Sequence, residues 1–296
     1  MALPQDQKPL EIDDYAAPCS LEEACRALSG GNATIVAGGT DLWVQKDEGA
    51  RRFGARLVNI SRIGELSEID CTPDRIRLGA LVTMSDVLAS DPLRQAVPML
   101  AATADRFASD QIRNAATIGG NIANASPAAD FVIPLLCLDA EVVLARWTGD
   151  GIATRMVALA EFFTAPGATV RADDELIAGV EFAAPGTGFH AGFCKSGPRP
   201  ALEIAIVSLG LAGRLDGGRM TGVRVALGAV APTPLRCTGT ERVIEGALLD
   251  DKTIAAALAA LEHDIAPIGD VRGSAWYRTH LARTYLEQEL RNAAQG

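Results

Sequence analysis

The stretch FASDQIRNAATIGGNIANASPAAD, residues 107–130, has few large side chains and many small or polar ones. Gly119 and Gly120 lie near its centre, preceded by Thr117 and Ile118 and followed by Asn121, Ile122, Asn124, Ser126 and Asp130. Glycine lets a backbone come close to a bulky neighbour because no Cβ stands in the way. Successive N–H groups then form a concavity that holds an anion. An earlier stretch, Ile35-Val36-Ala37-Gly38-Gly39-Thr40-Asp41-Leu42, has the same character. Either glycine pair alone reads as an ordinary turn. Together they read as opposite walls of one site for a large anionic molecule.

The rest of the chain limits what that molecule can be. The 296 residues suffice for one large or two ordinary domains, and 48% hydrophobic with 22% charged residues is a globular composition. A net charge of −10 argues against a nucleic-acid partner, which requires a basic face. It also means that N–H groups and dipoles, rather than clustered cations, must hold any phosphate. No apolar run reaches the roughly 18 residues of a membrane span. The opening MALPQDQKPLEIDD resembles neither a signal nor a transit peptide, so a cytoplasmic location is expected. Cys19, Cys25, Cys71, Cys137, Cys194 and Cys237 are scattered, as are His190, His263 and His280. Metal sites need clustered ligands, so no metal is expected on this chain and the cysteines read as small buried residues.

Ser20-Leu21-Glu22-Glu23 has the spacing of a capping box and predicts a helix from Leu21 to Leu28, stopped by Gly30-Gly31. Thr34-Ile35-Val36 and Arg56 to Ile60 read as strands, with Asp41 able to cap the segment after the first. Leu66 to Leu81 reads as a hairpin around Thr72-Pro73-Asp74. Ser85 is expected to cap a short helix to Ala89, and Pro98 to divide the helical pattern from Leu93 to Phe107. Residues 128–138 read as a short buried helix, residues 141–146 and 155–158 as a strand pair, and residues 176–182 as a strand. Ala183 to Gly188 has linker composition and places a boundary between residues 1–186 and 189–296. Beyond it, two strand-like runs flank Asp216-Gly217-Gly218, and residues 253–265 and 274–292 are helical in pattern. A small antiparallel sheet covered by helices is expected.

The chain has no G-x-G-x-x-G, no P-loop and no G-x-S-x-G elbow. What it has is an ordered set: the loop from Val36 to Leu42, then Gln111-Ile112-Arg113-Asn114, then Thr117-Ile118-Gly119-Gly120-Asn121-Ile122, then Ala125-Ser126-Pro127 and Asp130. After the linker come Phe193 to Ala201 and Glu203 to Val207. This set resembles the FAD-binding medium subunit of the molybdenum hydroxylases, a family that includes xanthine and carbon monoxide dehydrogenases, and the resemblance covers almost the whole chain.

The resemblance implies an α+β fold: a two-part FAD-binding domain of the vanillyl-alcohol oxidase and p-cresol methylhydroxylase type, then the antiparallel C-terminal flavoprotein domain. It implies that Ile35 to Leu42 wrap the FAD pyrophosphate and that Thr117, Gly119, Gly120 and Asn121, as a second loop, close over it. Asp130 would accept from sugar-like hydroxyls of the cofactor, or serve as a helix N-terminal acid. Phe107 would lie against the isoalloxazine ring, or be a core aromatic. Lys195 matches a lysine near the flavin, or is a solvated surface residue; Arg199 is read as structural, with Glu203 its candidate partner. No catalytic side chain is assigned. Two-iron clusters on a small subunit and molybdopterin on a large one are expected, in a xanthine dehydrogenase-like dimer of heterotrimers, with NAD+ or another electron acceptor. The alternatives are a carbon monoxide or N-heterocycle dehydrogenase subunit, a self-contained flavin reductase of the same fold, and a binding module with no flavin.

Overall fold

The computed structural model describes residues 12–49, 52–197 and 204–295. Its first helix begins at the predicted signal: the Ser20 hydroxyl accepts from Glu23 N at 3.2 Å. The Glu23 carboxylate reaches past the cap to Cys19 N at 2.8 Å, so the box closes one residue early. The first part of the chain runs β1 (Asp14–Ala16), α1 (Leu21–Leu28), β2 (Ala33–Val36), α2 (Leu42–Asp47) and β3 (Arg56–Asn59). Its strands are parallel in the order β1-β3-β2, with Val36 beside Asn59. Asp41 occupies the N-cap position of α2 without making a cap bond; its carboxylate accepts from Gln45 instead.

The second part comprises β4 (Ile69–Cys71), β5 (Arg75–Gly79), α3 (Met84–Ala89), α4 (Asp91–Ala96), α5 (Pro98–Asp105), α6 (Asp110–Arg113), α7 (Ile118–Asn124) and α8 (Val132–Cys137). It continues through β6 (Glu141–Trp147), β7 (Ile152–Ala158), β8 (Phe163–Ala165), β9 (Ala168–Thr169) and β10 (Leu176–Ala183). A five-stranded antiparallel sheet, β4-β5-β10-β6-β7, forms its base. Pro98 divides the helical run as predicted, opening α5 after α4 has ended. The cap of α3 is Thr83, in a full capping box with Asp86, and not Ser85. Ser85 Oγ lies 2.5 Å from Asn114 Oδ1, tying α3 to the residue after α6. Ala24, Cys25 and Leu28 of α1 share a core with Val58 beneath the first sheet and with Val143, Ala145 and Ala178 of the second.

The last part contains β11 (Phe189–Ser196), β12 (Val207–Asp216), β13 (Arg219–Gly228), β14 (Leu235–Arg236), α9 (Thr238–Ile244), α10 (Asp251–Asp264) and α11 (Ala275–Gln295). The four strands form one antiparallel sheet in chain order. Strand β12 explains how this sheet is sandwiched. Val207, Leu209 and Leu211 point into a core with the three helices. Ser208, Gly210 and Ala212 alternate with them and are small. A Cβ on Gly210 would stand 2.8 Å from both Cys137 Sγ and Met99 Cε, so the small face is what lets α8 and α5 lie against the sheet. Phe193, Ala212 and Ala226 accordingly belong to the core of the second part.

Strand β11 is not anticipated by the sequence reading. Its inner positions are Gly192 and Cys194, because Glu289 of α11 fills that space: a Cβ on Gly192 would overlap its carboxylate, and Cys194 Sγ donates to Glu289 Oε1 at 3.1 Å. Cys25, Cys137, Cys194 and Cys237 are buried, whereas Cys71 is half-buried and Cys19 is exposed. Burial pushes the Cys25 thiol up to about 11 and those of Cys137 and Cys194 to about 12, which leaves them protonated and inert. The Arg199–Glu203 pairing, and residues 198–201 of the motif that begins at Phe193, lie outside the described residues.

Candidate functional site

A cleft of about 730 Å³ lies between the parallel sheet and the five-stranded antiparallel one. Of the residues singled out in the sequence, Ile35, Ala37, Gly38, Gly39, Thr40, Asp41, Leu42, Phe107, Thr117, Gly119, Gly120, Asn121 and Asp130 line it. Val36 is in strand β2 and does not reach the cleft; Lys195 stands behind Asp130.

The two glycine stretches both line the cleft. They touch. A Cβ on Gly38 would stand 1.7 Å from the carbonyl oxygen of Ala115, so the first loop is pressed against the backbone that leads into α7. Gly39 comes next at φ +69°, in the left-handed region that glycine tolerates and L side chains rarely adopt. With this turn made, the N–H groups of Gly38, Gly39 and Thr40 find no acceptor among the described residues. Three successive uncommitted donors beside a cleft make an anion cradle.

The second stretch corrects the sequence reading. It is not a loop but the N-cap and first turn of α7. Thr117 accepts from Gly120 N at 3.0 Å through its hydroxyl, Gly119 N donates to Ala80 O at 2.9 Å, and Ile118 N donates to Val82 O at 2.9 Å. These N–H groups are spent within the protein. Gly119 is needed for packing, since a Cβ would meet Ala80 at 2.7 Å. What α7 offers the cleft is the Asn121 side chain, whose Oδ1 is buried without a partner, and the bare Cα of Gly120.

Asp130 precedes α8, and its side chain is 8% exposed. Lys195 Nζ, on β11, lies 2.5 Å from Asp130 Oδ2 and 3.3 Å from the carbonyl oxygen of Arg106. Lys195 is thus no solvated surface residue, its side chain being equally buried. Burial raises the Asp130 carboxyl above the usual range, with the charge and hydrogen bond of Lys195 opposing. Asp130 Oδ1, which faces no protein donor, is left as a buried acceptor at the cleft.

Phe107 is half-buried between the cleft and the core of the second part. The residues from Gly167 to Asp173 add Arg171 and Asp173 to the lining, and Arg52 lines it as well. The sequence reading missed all three, the two arginines because it took an acidic chain to be short of cations. Gln45 Nε2, from α2, donates to both Asp41 Oδ2 and Asn124 Oδ1, which ties the first loop's helix to the end of α7.

An anion cradle, buried acceptors awaiting donors and an aromatic wall in one cleft of about 730 Å³ suit a large ligand with a diphosphate, hydroxyl groups and a flat ring. That defines a protein that binds a dinucleotide cofactor without the Rossmann loop. Residues 9–185 match the family described as FAD binding domain in molybdopterin dehydrogenase, and residues 193–293 the CO dehydrogenase flavoprotein C-terminal domain. The xanthine dehydrogenase FAD-binding subunit of Escherichia coli O157:H7 is 31% identical over 96% of each chain. The carbon monoxide dehydrogenase medium chain of Afipia carboxidovorans is 30% identical over 95% of this chain and 96% of that one. A crystal structure of the Cu,Mo-CO dehydrogenase superposes with a TM-score of 0.89 at 29% identity, covering 95% of this chain and 97% of that chain. The chain belongs to the FAD-binding medium subunits of the xanthine and carbon monoxide dehydrogenase family. Its cofactor is FAD and its fold is the expected one, a mixed α and β FAD-binding domain followed by the flavoprotein C-terminal domain. Among the described residues no helix is long and apolar enough to cross a membrane.

Proposed function

We propose that this chain is the electron-transfer subunit of a cytoplasmic xanthine dehydrogenase-like complex, receiving electrons from iron–sulfur clusters on a small partner chain and delivering them to NAD+. The substrate would be oxidised on a large molybdopterin subunit, the three chains forming a dimer of heterotrimers. The observation that carries this reading is the cleft's make-up: three uncommitted N–H groups and two buried, unpartnered acceptors. FAD, when bound, supplies the exchange between one-electron carriers and a two-electron acceptor.

The protein's part is to hold it. The N–H groups of Gly38, Gly39 and Thr40 hold the pyrophosphate, which suits a chain of net charge −10. Asp130 Oδ1 and Asn121 Oδ1 take hydroxyl or amine donors of the cofactor. The bare Cα of Gly120 admits its backbone closely, and Phe107 walls the isoalloxazine ring. Residues 1–186 bind the cofactor, and residues 189–296 form the C-terminal domain that brings Lys195 to Asp130. A carbon monoxide dehydrogenase-type complex is compatible with the same cleft, given the similarity to both medium chains.

The test is to purify the chain with whatever accompanies it in its own cell. Co-purifying iron–sulfur and molybdenum chains, with substrate-dependent reduction of NAD+, are the expected result. A yellow protein that runs alone and turns over a small substrate without iron or molybdenum would refute the relay. Transfer to oxygen or a quinone, but not to NAD+, would refute the acceptor alone.

A further inference from the structure

In the motif Gln111-Ile112-Arg113-Asn114, Asn114 is tied to Ser85 and Ile112 lines the cleft, while Arg113 turns back toward the residues before it. Its Nη1 donates to the carbonyl oxygens of Phe107 at 2.9 Å, Asp105 at 3.2 Å and Ala108 at 3.2 Å. Nη2 is paired with Asp110, and the side chain is 14% exposed. The remaining carbonyl of this turn, that of Arg106, faces Lys195 Nζ. All four carbonyls from residue 105 to residue 108 therefore bond to a cation.

These carbonyls follow the last turn of α5, which ends at Asp105 with Arg106 as its cap, and a helix end leaves such oxygens without N–H partners. The oxygens repel one another, and Ala108 is held at φ +39°, a region an alanine rarely adopts. Arg113 thus reaches back from α6 to the last carbonyl of α5, that of Asp105, and past the Arg106 cap to those of Phe107 and Ala108. The turn's product is the placement of Phe107 and Ala108 at the cleft.

We propose that Arg113 is a positioning residue of the flavin site: by collecting these carbonyls it fixes the turn that sets the Phe107 ring against the isoalloxazine. The inference rests on the reading of Phe107 as the ring wall. A lysine at 113 has one ammonium and cannot hold the three carbonyls while also pairing with Asp110, so it restores only part of the effect.

A double-mutant cycle tests the link, because residues acting through one contact are not additive. Phe107→Ala, Arg113→Met, Arg113→Lys and the Phe107→Ala/Arg113→Met double variant are made in the full chain, co-expressed with its complex. FAD dissociation, visible circular dichroism of the bound flavin and the thermal midpoint of the flavin-stripped protein are measured. Phe107→Ala and Arg113→Met should each weaken FAD binding about tenfold, an energy of about 1.4 kcal/mol. Both should change the flavin dichroism in the same sense, and the double variant should be no worse than Phe107→Ala. Arg113→Lys should fall between Arg113→Met and the parent. Multiplying effects, or Arg113→Met lowering the stripped protein's midpoint with flavin affinity and dichroism unchanged, would overturn the proposal and leave the Phe107 reading standing. No effect of Phe107→Ala on flavin would overturn that reading, and the proposal with it.

Discussion

At Gly39 the left-handed backbone and the cleft meet in one residue. Placing an L side chain there costs about 1–2 kcal/mol from backbone strain alone, and its Cβ would stand 2.9 Å from the Trp43 indole nitrogen. That neighbour is a side chain on α2, partly exposed, and it can move. At Gly38 the obstacle is the Ala115 carbonyl, fixed backbone. The two substitutions should therefore fail differently. Gly39→Val should leave a folded chain that has lost most of its flavin, read as the ratio of visible to protein absorbance after gel filtration. Gly38→Val should lower folding and flavin together. A Gly39→Val protein with full flavin content would refute the cradle. The cradle was legible in the sequence because glycine marks positions that need glycine. The Lys195–Asp130 pair was not, since the two stand 65 residues apart and nothing in either neighbourhood names the other. Arg52 and Arg171 were equally hidden: they lie on loops, where no periodicity assigns a side chain to a face.

The turn between β9 and β10 forms one side of the cleft and is held from behind. Arg155 of β7 meets Glu175 with two hydrogen bonds, Nε to Oε1 at 2.6 Å and Nη2 to Oε2 at 2.7 Å, and also reaches Val170 O at 3.0 Å. Ala172 N donates to the same carboxylate at 2.8 Å. The Arg155 hydrogen bond, helped by Ala172 N–H and opposed by burial, holds the Glu175 carboxyl below its ordinary value of 4.5. A depressed carboxyl stabilises the fold above its unfolded value, and that stability is lost as pH falls through the folded one. Glu175→Gln should thus cost about 1.5–3 kcal/mol near neutral pH, the range of hydrogen bonds to charged groups. The difference should shrink as the pH drops below 4.5, and melting curves at several pH values would show the two proteins converging. A gap independent of pH would mean that the lost contact is not ionic. Elements with a strong local signal were legible, such as α1 with its Ser20 cap and the hairpin of β12 and β13. Helix α7 was not, because Gly119-Gly120 signals a turn while tertiary bonds from Ala80 and Val82 support a helix. Strand β11 was hidden for a related reason: the space its inner residues would fill belongs to Glu289, from the other end of the chain.

Across the whole molecule, the boundary written in the linker is not a boundary in the core. Phe193, Ala212 and Ala226 from beyond the linker pack in the same cluster as Met99, Leu100, Ile133 and Phe131 from before it. Ala229 N donates to Pro127 O at 2.7 Å, and Arg236 donates to Leu136 O at 3.3 Å and to Asp139 at 2.5 Å. Removing residues 189–296 would therefore strip one face of α5 and α8 of its cover. It would also leave Asp130 buried without the Lys195 ammonium, and an uncompensated buried charge is costly to retain. The expected outcome is that residues 1–186 alone are poorly soluble and free of flavin, although every residue assigned to contact the cofactor lies within them. Supplying residues 189–296 as a second chain in the same cell should restore both solubility and yellow colour, because the contacts that join the parts are noncovalent. A soluble, flavin-loaded 1–186 fragment would show that the second domain is an attachment and not a wall of the site. The physical reason to expect otherwise is the small face of β12: Ser208, Gly210 and Ala212 leave the room in which α5 and α8 lie against the sheet.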